Sequence, residues 1–190
     1  MKTSKTEIIS LVKAWIAISI AFSVILTKNL FSIEIVTNFL IASLTVGCGF
    51  ILHEMAHKYL AQRYGAFAEF RSFDFMLLLT IIMSFFGFVF AAPGAVMISG
   101  NINKEKNGKI SAIGPLTNLL LALVFLLISF STIDIIKLIG VMGFTINSWL
   151  GLFNMIPFWQ FDGMKIYNWN KIVYFSMLIF AIGLMVVSYL

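Results

Sequence analysis

Residues 75–103 read FMLLLTIIMSFFGFVFAAPGAVMISGNIN, an unbroken run without a charge. Whether this run crosses a membrane once, or enters and returns, decides on which side everything after it lies. Its length suits a spanning helix, for which about 20 apolar residues suffice. Its interior argues otherwise: Gly87 sits near the middle of the apolar part, and Pro93 and Gly94 follow. Proline lacks the amide hydrogen that a helix interior needs, and glycine favours turns. The run therefore suits a re-entrant hairpin or extended membrane-embedded stretch over residues 75–98. Non-helical backbone at that depth is tolerated only beside protein or a water-filled cavity, so it should border a site.

Composition makes lipid the solvent. Of 190 residues, 61% are hydrophobic and 11% charged, with a mean hydropathy of +1.01, whereas a soluble domain carries about a quarter charged residues. The lone Cys48 excludes a disulfide scaffold, and disorder, collagen and coiled coil are excluded with it. Uncharged runs at 14–27, 35–52, 75–103, 110–133, 138–161 and 172–190 predict an all-α polytopic membrane protein of about five to six transmembrane segments. No linker or repeat divides it, so a single domain is expected over 1–190, with its core at 35–166. The first run extends back to Ile8 if Lys13 snorkels to the headgroups. Lys13 also interrupts the apolar stretch and no A-x-A pattern follows, which favours an uncleaved anchor over a signal peptide.

Basic residues choose between the topologies. If all six runs cross from an inside N-terminus, seven of the 13 Lys and Arg lie inside and six outside. If the third run returns, Lys104, Lys106, Lys109, Lys165 and Lys171 move inside and Lys137 moves out, giving eleven against two. The positive-inside rule favours the second arrangement. It implies a multi-pass protein of the cell membrane, with its N-terminus and active-site side in the cytoplasm. The net charge of +5 is thereby explained by orientation, and no nucleic-acid partner is expected.

The second run leads, on the same membrane segment, into Leu52-His53-Glu54-Met55-Ala56-His57, an H-E-x-x-H. Residues four apart stack on one helical face, so His53 and His57 can offer nitrogen to one tetrahedral metal while Glu54 handles protons. The bland alternatives are two packing histidines, or a Glu54 paired with Lys58 at the membrane edge. A zinc enzyme of this kind needs a third protein ligand. Cys48 is about 140° around the helix from His53. Glu7, Glu34 and Asp134 fall near the N-terminus or on the outer side, which leaves Glu69, Asp74, Glu105 and Asp162. Asp162 follows Pro157 in an apolar stretch that stays at membrane depth, although Asp162-Gly163 can also simply make a turn. His53 lies on the order of 8–15 Å from the inner end of its helix. Asp162 reaches that depth only if an even number of crossings intervenes, as the re-entrant topology provides.

Three motifs in order, H-E-x-x-H, Gly114-Pro115-Leu116-Thr117-Asn118, and residues 154–163 ending in Asp-Gly, resemble the site-2 protease family over about residues 47–166. The resemblance implies one zinc ion per chain held by His53, His57 and Asp162, with Glu54 as the catalytic carboxylate. It suggests Asn118, and more weakly Asn154, as hydrogen-bond donors to substrate or oxyanion. Residues 91–97 look like the membrane-embedded strand or loop that receives an extended substrate. Two departures bear on substrate choice and regulation: Gln160-Phe161 precede the Asp-Gly where many members have Pro or Leu nearby, and no PDZ or cystathionine-synthase-type domain is evident.

The function expected is hydrolysis of peptide bonds within or near the transmembrane segment of a single-pass membrane protein. Asn118, Asn147 and Ser148 are expected to let water into the apolar bundle. Oligomeric state is open. The rivals are a metallopeptidase with its third ligand on a following soluble helix, an inactive protease-like binding protein, and a zinc-binding transporter or sensor. The last would want polar residues tracking across the membrane rather than clustered at one depth.

Overall fold

Backbone in lipid must satisfy its own hydrogen bonds, and helices do so within one segment. The computed structural model describes residues 2–27, 29–89, 93–158 and 160–189 and is mostly helical. In chain order it contains α1 (Lys5–Leu26), α2 (Glu34–Ala42), a π-helical turn (Ser43–Gly47), α3 (Cys48–Arg63), β1 (Phe67–Ser72), α4 (Asp74–Ser84), β2 (Gly94–Ser99), α5 (Lys104–Ile128), α6 (Asp134–Asn154), α7 (Asp162–Trp169) and α8 (Lys171–Val187).

Among the described residues, four helical stretches are long and apolar enough to cross a membrane: Lys5–Leu26, the continuous Glu34–Arg63, Lys104–Ile128 and Asp134–Asn154. The expected five to six spans are thus four of full length, because α8 has 17 residues and α4 only 11. At about 1.5 Å per residue α4 covers roughly 16 Å, half of a hydrocarbon core. It ends in a turn at Gly87, whose φ of 85° suits glycine.

Residues 94–99, further along the same apolar run, are extended rather than helical. β2 pairs with β1 in a two-stranded sheet, which corrects the all-α expectation. The strand forms because Ala68 and Phe70 are buried, while the hydrogen bonds of β1 depend on a partner more than twenty residues away. Residues 91 and 92 of the expected substrate-receiving stretch lie outside the described residues.

Contacts divide the chain into two compact units, residues 1–51 with 69–97 and residues 52–68 with 98–190. In the first, α1 packs against α2, the π turn and α4. Its first turn is tied to β1 by polar groups. Glu7 is fully buried and accepts the Phe70 backbone N–H at 3.0 Å. The Ser4 hydroxyl donates to Glu69, which also pairs with Arg71 at 2.8 Å. These partners offset the desolvation of two buried carboxylates. Lys13 does not merely snorkel: it pairs with Asp74 at 3.0 Å. The π turn is shaped by Trp15, whose indole N–H donates to the Ser43 carbonyl at 3.0 Å. A Cβ on Gly47 would sit 2.5 Å from that ring, so glycine permits the approach.

In the second unit α5 packs on α6 and α7, and both α6 and α7 pack on α8. Small residues allow the close approach: a Cβ on Gly140 would meet the Ser129 backbone, and one on Gly143 the Phe125 ring. Leu119, Ala122, Phe144, Ala181 and Leu184 form one buried cluster, and Met155, Ile166 and Tyr174 another. α6 stops at Asn154, shortly before Pro157, because the residue preceding proline is steered out of the helical region. Tyr174 then donates to the Met155 carbonyl at 3.0 Å. Gly163 lies so close to that carbonyl that a Cβ would come within 2.3 Å of it. These contacts fix where α7, and hence Asp162 at its start, begins.

Candidate metal centre

Helix periodicity puts His53 and His57 on one face of α3, and the chain reversal after α6 delivers Asp162 to the same place. All three are buried, and one ligand atom from each can be chosen so that the set lies within 4.8 Å of one another. His53 Nε2 and His57 Nε2 are 3.0 Å apart. Asp162 Oδ2 lies 3.4 Å from the first and 3.1 Å from the second. Ligands about 2.0–2.1 Å from a tetrahedral zinc stand roughly 3.3 Å from one another, so the spacing fits.

The far side of each ring shows why the Nε2 atoms converge. His57 Nδ1 is 2.7 Å from the Ile110 carbonyl, which can only accept, so Nδ1 carries the proton and Nε2 the lone pair. His53 Nδ1 lies 2.6 Å from Asn118 Oδ1. Two imidazole lone pairs and a carboxylate this close together call for a positive charge among them. The donor set, two nitrogens and one oxygen, suits zinc. Lys165 Nζ stands 3.7 Å from Asp162 Oδ1, on the oxygen that the imidazoles leave free.

α5 presents this site with one stripe at i, i+4 and i+8: Ile110 holds His57, Asn118 holds His53, and Gly114 lies between. A Cβ on Gly114 would be 2.3 Å from His57 Nε2 and 2.7 Å from His53 Nε2. Both rings are pinned from behind and cannot yield without losing those bonds. Gly114→Ala is therefore expected to weaken zinc binding at least tenfold in a chelator competition while the helical circular dichroism stays unchanged.

The other sequence candidates fall elsewhere. Asp74 pairs with Lys13, Glu69 with Arg71 and Ser4, and Glu105 with Lys109 at 2.5 Å. Glu54 is buried beside His53 on α3. Asn118 is brought to the imidazoles. Asn154 donates to the Leu150 carbonyl of its own helix at 2.9 Å. Asn147, expected to admit water, accepts from the Asn118 amide at 3.1 Å. The short-range signal for that pairing is slight, because it depends on the packing of α6 against α5.

No family model and no solved structure matches the chain. It is 43% identical over 175 residues, 90% of its length and 88% of the relative's, to the Methanocaldococcus jannaschii protein named "Putative zinc metalloprotease MJ0611". It is 32% identical over 119 residues to "Zinc metalloprotease MJ0392" of the same organism, a match that covers 61% of this chain and 30% of that one. The extent of the first match, taken with a buried two-histidine, one-carboxylate group of zinc-like spacing, gives the conclusion that this chain belongs to the zinc metalloprotease family of these relatives.

Proposed function

We propose that this chain is a site-2-protease-like intramembrane zinc metalloprotease that hydrolyses peptide bonds within or near the transmembrane segment of single-pass membrane proteins. The observation that carries the reading is the convergence of His53 Nε2, His57 Nε2 and Asp162 Oδ2 within a chain of membrane-length apolar helices. His53, His57 and Asp162 would hold one zinc, which supplies Lewis acidity toward water and the scissile carbonyl when bound. Glu54 takes the proton from the attacking water and returns it to the leaving amine. Asn118 orients His53, a role supported by its amide oxygen 2.6 Å from His53 Nδ1.

A substrate helix must unwind before hydrolysis, because its carbonyls are committed to its own hydrogen bonds. β1 has β2 on one side, while on the other its Phe70 N–H is taken by Glu7. The outer edge of β2 is then the one that receives an unwound strand. The short α4, the Gly87 turn and β2 support a third segment that enters and returns, with the N-terminus and the loop before α5 in the cytoplasm.

Incubating the purified protein in detergent with a single-pass membrane substrate should give products whose new termini, read by mass spectrometry, lie in or beside the transmembrane segment. Excess 1,10-phenanthroline should abolish them. Cleavage only in soluble regions would reject the intramembrane reading. Zinc retention without any cleavage would favour a transporter or sensor.

A further inference from the structure

We infer that Asn147, a residue of α6 one helix removed from the metal ligands, is a positioning residue that fixes which ring nitrogen of His53 faces the other two ligands as an acceptor. The inference rests on the zinc-site reading above. It starts from the Gly143 carbonyl, which can only accept a hydrogen bond. Asn147 lies 2.9 Å from it and must present its NH2 group there. The amide oxygen of Asn147 therefore faces the other way, toward Asn118, 3.1 Å distant. An oxygen accepts, so Asn118 turns its own NH2 to Asn147 and its oxygen to His53 Nδ1, 2.6 Å away. His53 must then carry its proton on Nδ1, which leaves the Nε2 lone pair directed at His57 and Asp162.

Each step follows from donor and acceptor inventory. The relay of hydrogen bonds ends on the Gly143 backbone carbonyl, so the orientation of every group in it is fixed without appeal to the metal.

Burial makes the relay consequential. Asn147 is fully buried and Asn118 nearly so. Either amide flipped would set donor against donor or acceptor against acceptor where water is scarce, at a cost comparable to a lost buried hydrogen bond. In the alternative tautomer His53 would present Nε2–H to the other two ligands and repel a cation. Outer-shell partners of metal-bound histidine typically change metal affinity about 10–100-fold when removed, and Asn147 acts at one further remove, through Asn118.

The test is zinc affinity in detergent, measured by competition with a chromogenic chelator, for wild type, Asn147→Leu, Asn118→Leu and the double variant. Leucine keeps the branched shape of the side chain, slightly bulkier, and removes the hydrogen bonds. Asn147→Leu should weaken zinc about tenfold and Asn118→Leu by at least as much. In the Asn118→Leu background, Asn147→Leu should add less than twofold, because the group it acts through is gone. Thr117→Val, whose hydroxyl donates to the Ile113 carbonyl of its own helix, should change affinity less than twofold. The metal-free Asn147→Leu protein should keep wild-type helical content.

Unchanged affinity in Asn147→Leu, or effects that multiply in the double variant, would overturn the relay while leaving the zinc site standing. Wild-type protein that binds no zinc would overturn both.

Discussion

Replacing Glu54 by Gln is expected to leave zinc binding at the wild-type level and to lower the rate of peptide cleavage by about 10²- to 10⁴-fold, the range general acid–base groups contribute. The substitution keeps the size of the side chain and much of its hydrogen-bonding capacity, so the packing around α3 is preserved. Glu54 follows His53 by one residue and is therefore turned about 100° from it on the helix, which separates it from the ligand face. What the amide cannot do is accept a proton from water and pass it on. Undiminished cleavage would remove Glu54 from the chemistry. Loss of zinc together with cleavage would make it a ligand or a structural group.

Asp162→Ala is expected to reduce zinc affinity at least 100-fold and to abolish cleavage with it. His53 and His57 come from adjacent turns of one helix, so they bring two of the three donors as a preformed pair. Asp162 supplies the only negative charge among the three and comes from the start of α7, more than a hundred residues along the chain. Two neutral imidazoles in a buried site bind a divalent cation weakly without a compensating anion, and removing an outer-shell partner alone costs about 10–100-fold. If Asp162-Gly163 were only a turn, the alanine variant would lose some stability yet keep its zinc. Gly163, held against the Met155 carbonyl, stays in place in this variant. Equilibrium dialysis against zinc with a parallel thermal melt distinguishes the two outcomes.

The imidazole pair could be read from spacing alone, because four residues on a helix return to the same face. Scarcity of carboxylates narrowed the third ligand to Glu69, Asp74, Glu105 and Asp162, the family resemblance pointed to Asp162, and the structure brings it to the imidazoles while the other three form ion pairs elsewhere. Gly114 was visible as part of a motif, but its reason, the room it leaves for two imidazoles, needed the geometry. β1 is hard to read because Glu69 and Arg71 put two charges into the six residues 67–72. Their alternation with Ala68 and Phe70 was the available signal, and strand formation still depended on β2. The ion pair of Lys13 with Asp74 and the capture of β1 by Glu7 join residues about sixty positions apart, which no local pattern reports. The same holds for Asn147. As one polar residue in an apolar helix it suggested a path for water, and only the packing of α6 on α5 shows its amide committed to Asn118.

The central claim is that His53, His57 and Asp162 hold a single zinc. Its most direct test is metal content by plasma mass spectrometry, with zinc-edge X-ray absorption on the same detergent-purified sample. One zinc per chain is expected, with two imidazole nitrogens among light-atom ligands at about 2.0–2.1 Å. Zinc ligated through sulfur, or protein without zinc after exposure to a stoichiometric amount, would contradict it.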